Sequence, residues 1–277
     1  MVSDVDGTLL TEEKILTPRS KAAAAELRSR GIVFAIISSR PSRGLSMLLG
    51  PLGITTPVGS FNGGVISGPD LTPITRHVLS PDVTRRAVAM LDEHELQCWV
   101  FTGQEWLVRD PDGPYVGFEE RTVQFGPRIV EDFGAALDAA VKIVGVSRDF
   151  ALLAQRERDV RAALAGAATV ARSQLYYLDV THPLANKGAA LAEMAQLMRV
   201  PLDEIAAIGD GSNDVAMFER SGLSIAMGNA SLEVQAAADF VTGGNDEDGF
   251  AAAIERFVLG GDHSKLRAEK SSAGGNV

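Results

Sequence analysis

The stretch from Thr17 to Ile37 restricts the fold of this chain more than any other segment. Thr17 suits the N-cap of a helix, Pro18 its first position, and an Ala-rich run follows until Gly31 closes it. Ile32-Val33-Phe34-Ala35-Ile36-Ile37 is then a continuous apolar run of strand length, as in a parallel strand covered on both faces. A short strand before the helix ends at Asp4-Val5-Asp6-Gly7-Thr8. Strand, helix and strand in this order predict a βαβ unit with a right-handed crossover.

The pattern changes and then returns. Pro57–Gly64 reads as a short strand running into a glycine turn, and from about Ser80 a helix to about Glu95 leads into Gln97–Thr102 and Glu105–Arg109, a hairpin joined at Gly103-Gln104. Val141–Val146 predicts a strand, Asp149–Leu164 a helix, and Ala168–Arg172 with Leu175–Val180 a second hairpin. From Asn186 the crossover pattern resumes: a helix over Lys187–Met198, a strand at Ile205–Ile208 ending in Gly209-Asp210-Gly211-Ser212-Asn213-Asp214, and a strand at Leu223–Ala226. The expectation is an α/β protein: a Rossmann-like parallel-sheet core from 1–80 and 186–260, with an inserted α+β module over 81–185. The Gly-, Ser- and charge-rich 261–277 reads as a flexible tail.

The chain has 277 residues and a net charge of −10, so a nucleic acid would meet general repulsion rather than a basic footprint. Its single cysteine, Cys98, excludes an intrachain disulfide and a thiolate metal cluster, and its apolar neighbours mark it as a buried small hydrophobe. No run approaches the length of a membrane span, and the first residues lack the pattern of a signal peptide. A cytoplasmic protein, monomeric or a small homo-oligomer, is expected. No nucleic-acid or membrane partner is expected.

In an open parallel sheet, ligands bind beyond the carboxyl ends of the strands. The polar motifs sit at such ends: Asp4 and Asp6, Ser38, Asn62, then Asp210 through Asp214. Asp4 and Asp6, two residues apart, face one side of a strand. Lys187 begins a helix, where the macrodipole disfavours a cation, and such a broken local rule marks a functional position. Carboxylates with a lysine point to metal-assisted phosphoryl transfer. Mg²⁺ prefers a few carboxylate oxygens, substrate phosphate and water, and a carboxylate nucleophile divides hydrolysis into two steps around an aspartyl phosphate.

These residues resemble the motifs of the haloacid dehalogenase-like (HAD) hydrolases, of the Cof type with a type IIB cap. Asp4-Val5-Asp6-Gly7-Thr8-Leu9-Leu10 is similar to the first motif, Ser38-Ser39-Arg40 to the second, Lys187-Gly188 to the third, and Gly209 through Asp214 to the fourth. The resemblance implies Asp4 as nucleophile and Asp6 as general acid/base. It implies Ser38 and Lys187 as phosphoryl contacts, and Asn213 as holding the fourth-motif loop near the phosphate or behind the metal. Asn62, at a strand end, and Arg40, either on substrate or at the sheet edge, are further candidates for binding substrate, as is Asn213. For Mg²⁺ it implies Asp4, the main-chain carbonyl of Asp6, and Asp210, with Asp214 as a direct ligand or behind one. The substrate class it implies is a small phosphorylated metabolite, a sugar phosphate first and a nucleotide- or cofactor-type phosphate next, and the inserted module corresponds to the family's cap, which selects the leaving group.

Two departures from the family stand out. Ser38 and Ser39 replace the usual Thr and Gly, though the hydroxyl is kept at Ser38. Only three residues precede Asp4, where the family has a longer apolar strand, which leaves open a short first strand or a natural start upstream of Met1. Other readings are a phosphosugar mutase of the same superfamily and a non-catalytic protein that binds a metal or phosphometabolite. An EF-hand register over Asp4, Asp6, Gly7 and Glu13 fails because its first position is Val2. His77 and His182, near the hinges expected at 79–83 and 181–185, read as ordinary surface or hinge histidines, and Trp99, Trp106, Tyr176 and Tyr177 as packing of the inserted module.

Overall fold

A computed structural model describes residues 1–260, and the expected tail 261–277 lies outside the described residues. The chain forms two compact units. One comprises Met1–Ile36, Pro51–Ile54 and the residues from Arg199 onward; the other comprises Ile37–Gly50 and Thr55–Met198, and so contains all of 81–185. Among the described residues no helix is long and apolar enough to cross a membrane.

The first unit is built on a five-stranded parallel sheet in the order Phe240–Val241, Leu223–Ala226, Ala206–Gly209, Val2–Ser3, Ala35–Ile36. The helix Pro18–Ser29 starts as its sequence requires: the Thr17 hydroxyl accepts from Ser20 N at 3.1 Å, and Gly31 leaves the helix at φ +72°. The apolar run 32–37 is strand only at Ala35–Ile36, because its partner Val2–Ser3 offers two residues for the ladder. Ile37 instead bridges Gly59 within the second unit.

The second unit carries a six-stranded sheet: Thr169–Gln174, Tyr177–Thr181, Lys142–Val146, Gln97–Phe101, Trp106–Val108, Arg128–Ile129. Every pairing is antiparallel except the last. Both expected hairpins are present, and together the two sheets give the mixed architecture read from the sequence. Side chains alternate across the six-stranded sheet. Cys98, Val100, Ile143, Leu178 and Val180 belong to one core cluster with residues of the helices Pro81–Glu93 and Phe150–Ala163. Trp99, Phe101, Val144 and Tyr177 belong to the other, which is rich in aromatic contacts such as Trp99 to Trp106 at 5.0 Å. Tyr176 packs there too, so the expectation for these aromatics holds.

The same unit holds elements the sequence reading did not place. Val65–Ser67 and Pro73–Arg76 complete a three-stranded antiparallel sheet with Val58–Ser60. A helix spans Val116–Val123, and both its ends are left-handed, at Tyr115 (φ +64°) and Gln124 (φ +59°), without a side-chain N-cap. A helix with neither a Ser, Thr, Asp or Asn cap nor a closing glycine gives no boundary signal.

Candidate active site

In the first unit, Val2–Ser3 and Ala206–Gly209 are hydrogen-bonded neighbours in parallel register, Val2 against Ala207 and Ser3 against Ile208. Both strands therefore release their next residues at the same edge. Asp4, whose N–H still bonds Ile208 O at 3.0 Å, and Asp210 emerge there together. One carboxylate oxygen each of Asp4, Asp210 and Asp214 lie within 4.8 Å of one another. The pairing Ser3–Ile208, separated by most of the sequence, is what assembles the group.

Short contacts hold this carboxylate group. Asp214 is fully buried, and its Oδ2 accepts from the backbone N–H of Asp210 (3.1 Å) and Gly211 (2.8 Å), which folds the loop back on itself. Asp210 Oδ1 accepts from the Thr8 hydroxyl at 2.8 Å. Gly7 has φ +78°, and a Cβ there would lie 2.3 Å from Asp210 Oδ2, so only glycine lets the two loops approach this closely. Asn229 Nδ2 donates to Gly7 O at 2.9 Å and fixes the turn from its other side.

Asp6 is not one of these three carboxylates. Its side chain is part-exposed and forms an ion pair with Lys14 at 3.0 Å. Lys14 carries φ +64°, and in the sequence a lone lysine in a polar loop gives no signal. Asn213 is exposed beside Asp214.

Ser38, Arg40, Asn62 and Lys187 lie in the second unit. Ser38 is fully buried; its Oγ accepts from Arg40 N at 3.1 Å, and its carbonyl accepts from Asn62 N at 2.8 Å. Asn62 adopts φ +57°, so the Phe61–Gly63 turn folds tightly, with Phe61 N donating to Arg40 O at 2.9 Å. Arg40 is buried and its guanidinium donates to Gly44 O at 3.4 Å, which places it within the loop after Ser38.

Lys187 opens the helix Lys187–Met198 and is 1% exposed. Asn186 caps that helix, its Oδ1 accepting from Ala189 N at 2.8 Å. The Phe61–Gly63 turn packs on this same helix start: a Cβ at Gly63 would meet that of Ala190 at 2.4 Å. Ser38, Asn62 and the start of the Lys187 helix thus form one packed neighbourhood of the second unit.

The model of the haloacid dehalogenase-like hydrolases matches residues 1–254. The chain belongs to that family. This HAD-like hydrolase is 30% identical to a haloacid dehalogenase-like hydrolase of Bacteroides thetaiotaomicron, whose crystal structure superposes with a TM-score of 0.85 over 92% of this chain and 97% of that one. It is 26% identical to the 5-amino-6-(5-phospho-D-ribitylamino)uracil phosphatase YcsE of Bacillus subtilis, over 92% of this chain and 94% of the relative. The same fold occurs in a HAD subclass IIB sugar phosphatase, 22% identical, with a TM-score of 0.80 over 92% of this chain and 97% of that one.

The donor set of the HAD-like hydrolase fits a hard divalent cation. Asp4, Asp210 and Asp214 offer only oxygen, the ligand atom Mg²⁺ prefers, and among the described residues no sulfur or imidazole joins the group.

Proposed function

We propose that this chain is a Mg²⁺-dependent phosphatase that hydrolyses a small phosphomonoester, a sugar phosphate or related metabolite, through an aspartyl phosphate on Asp4. The observation that carries this reading is the convergence of Asp4, Asp210 and Asp214 within 4.8 Å at one edge of the parallel sheet. The domain reading goes with it: 1–80 and 186–260 form the catalytic core, and 81–185 the cap.

In this mechanism an Asp4 carboxylate oxygen attacks phosphorus as the bond to the leaving alcohol oxygen breaks, and Asp6 gives that oxygen a proton. Asp6 then takes a proton from water, which attacks the phosphorus of the aspartyl phosphate and returns Asp4 and inorganic phosphate. By the family motifs Ser38 hydrogen-bonds the phosphoryl group and Lys187 balances its charge. Arg40 and Asn62 shape the loop that presents Ser38. Mg²⁺ held by Asp4, the main-chain carbonyl of Asp6, and Asp210 would lessen the repulsion between the carboxylate and an anionic phosphate. Asp214 is assigned to the loop that carries Asp210, since its Oδ2 already accepts two backbone N–H groups. Asn213, exposed on that loop, is assigned to contact with substrate.

The substrate class draws on the relative from Bacillus subtilis, whose name specifies a phosphorylated ribityl chain. The test is phosphate release from p-nitrophenyl phosphate with Mg²⁺, with EDTA, and with Asp4→Asn. Metal-dependent release that is lost in Asp4→Asn supports the proposal. Equal release by the variant refutes it.

A further inference from the structure

The aromatic face of the six-stranded sheet contains charges that the proposed mechanism does not use. Lys142 and Asp179 are both buried and form an ion pair at 2.6 Å. Tyr177 donates its hydroxyl to Glu119 Oε2 at 3.1 Å from the same face. Burial pushes the Glu119 carboxyl up, against the pull of Lys142, of the Tyr177 hydrogen bond and of Arg40. Glu119, Lys142 and Tyr177 border a cavity of about 20 Å³ whose wall also includes Ser39, Trp99, Phe61 and Phe101. Ser39 is the chain neighbour of Ser38, so the cavity begins one residue from the expected phosphoryl contact.

Size, charge and hydrogen-bonding capacity together restrict what this cavity takes. About 20 Å³ admits one water-sized group. On the cavity wall one carboxyl, Glu119, stands against one cation, Lys142, which is itself paired with Asp179, so no surplus positive charge is left for a second phosphate. On that wall the buried Trp99 Nε1 has no hydrogen-bond partner among the described residues. Lys142 and the indole N–H can only donate, whereas carboxylate oxygens accept. A hydroxyl both donates and accepts, so it matches this mixed set better than an anion, which needs donors alone, or a methylene, which satisfies neither.

Resting on the phosphatase reading, we infer that this cavity receives a neutral hydroxyl of the leaving group, held by Glu119, Lys142 and Tyr177, so that the enzyme selects monophosphates of polyhydroxylated chains over alkyl phosphates and bisphosphates. Lys142 is a poor site for substitution because removing it would leave Asp179 buried without its ion partner. Glu119 and Tyr177 are the positions to change.

The experiment measures kcat/KM of the full chain with Mg²⁺ for ribitol phosphate, pentyl phosphate and ribose bisphosphate, with p-nitrophenyl phosphate alongside. Ribitol phosphate is expected to exceed pentyl phosphate and the bisphosphate by about 10- to 100-fold, the range of one or two hydrogen bonds to charged groups. Glu119→Gln and Tyr177→Phe are expected to lower the ratio of ribitol phosphate to pentyl phosphate at least about 10-fold. Tyr177→Phe keeps the ring that packs on Trp99 at 5.2 Å, and it decides the matter if Glu119→Gln does not fold. Metal-dependent hydrolysis that shows no preference for ribitol phosphate, that favours the bisphosphate, or whose ratio is unchanged in the variants overturns this inference and leaves the phosphatase reading standing. No release from any of the four compounds overturns both.

Discussion

The Thr8 hydroxyl donates to Asp210 Oδ1 at 2.8 Å, joining loops 202 residues apart in sequence. The bond sets the direction of a carboxylate proposed to hold Mg²⁺, and partners of metal ligands commonly contribute about 10- to 100-fold in metal affinity. Thr8→Val, which keeps the shape and removes the donor, is expected to raise the Mg²⁺ concentration for half-maximal activity by about that factor. Thr8→Ser should restore it. A Mg²⁺ titration of phosphate release for the three proteins checks this.

Gly7 and Gly31 share a left-handed backbone, at φ +78° and +72°, but differ in surroundings. A Cβ at Gly7 would strike the Asp210 carboxylate, and one at Gly31 meets nothing within 4 Å. Gly31→Ala is therefore expected to lose only the backbone term, about 1 kcal/mol, with activity kept. Gly7→Ala should lose more stability and nearly all Mg²⁺-dependent activity. Urea unfolding and phosphate release measured on both variants separate backbone strain from displacement of Asp210.

Cys98 is 3% exposed, and burial pushes its thiol up to about 12. The thiolate is the reactive form, so the native protein is expected to show no thiol toward Ellman's reagent at neutral pH. In denaturant it should show one. Fast modification of the native protein would contradict the packing of the strand Gln97–Phe101.

His182 stacks on His77 with ring centroids 5.4 Å apart, and His77 Nε2 lies 3.7 Å from Glu193 Oε2. Burial, and then the neighbouring His77, lower the His182 imidazole below its ordinary 6.5. The unfolded chain thus binds more protons than the folded one as pH falls through that value. The contribution of His182 to stability is fully present above about pH 6.5, its ordinary value, and is lost progressively as pH falls through its lowered folded value. His182→Asn should flatten that part of the profile, measured by urea unfolding across mildly acidic to neutral pH. An unchanged slope would show that other groups carry it.

What the sequence made legible follows from how local each signal is. The helix Pro18–Ser29 is written in its own cap, Thr17 and Pro18. Asp4 and Asp210 could be placed because polar residues at the ends of parallel strands meet at one edge, and the register Ser3–Ile208 brings them there. Glu119 and Lys14 could not be found this way. Glu119 rides on a helix whose ends at Tyr115 and Gln124 carry no conventional boundary signal, and its partner Tyr177 is 58 residues away. Lys14 is ordinary until the fold sets it against Asp6. The run 32–37 is longer than the strand it contains because its apolar character reports burial, whereas strand length is set by how many residues the neighbour offers.

The central claim is that Asp4 becomes covalently phosphorylated. Mixing the enzyme with Mg²⁺ and a substrate carrying radiolabelled phosphate, quenching in acid within one turnover, and mapping the labelled peptide tests it most directly. Label is expected on the peptide containing Asp4, released by hydroxylamine as an acyl phosphate is, and none in Asp4→Asn. Turnover with no protein-bound label at any quench time, or equal labelling of the Asp4→Asn protein, would contradict it.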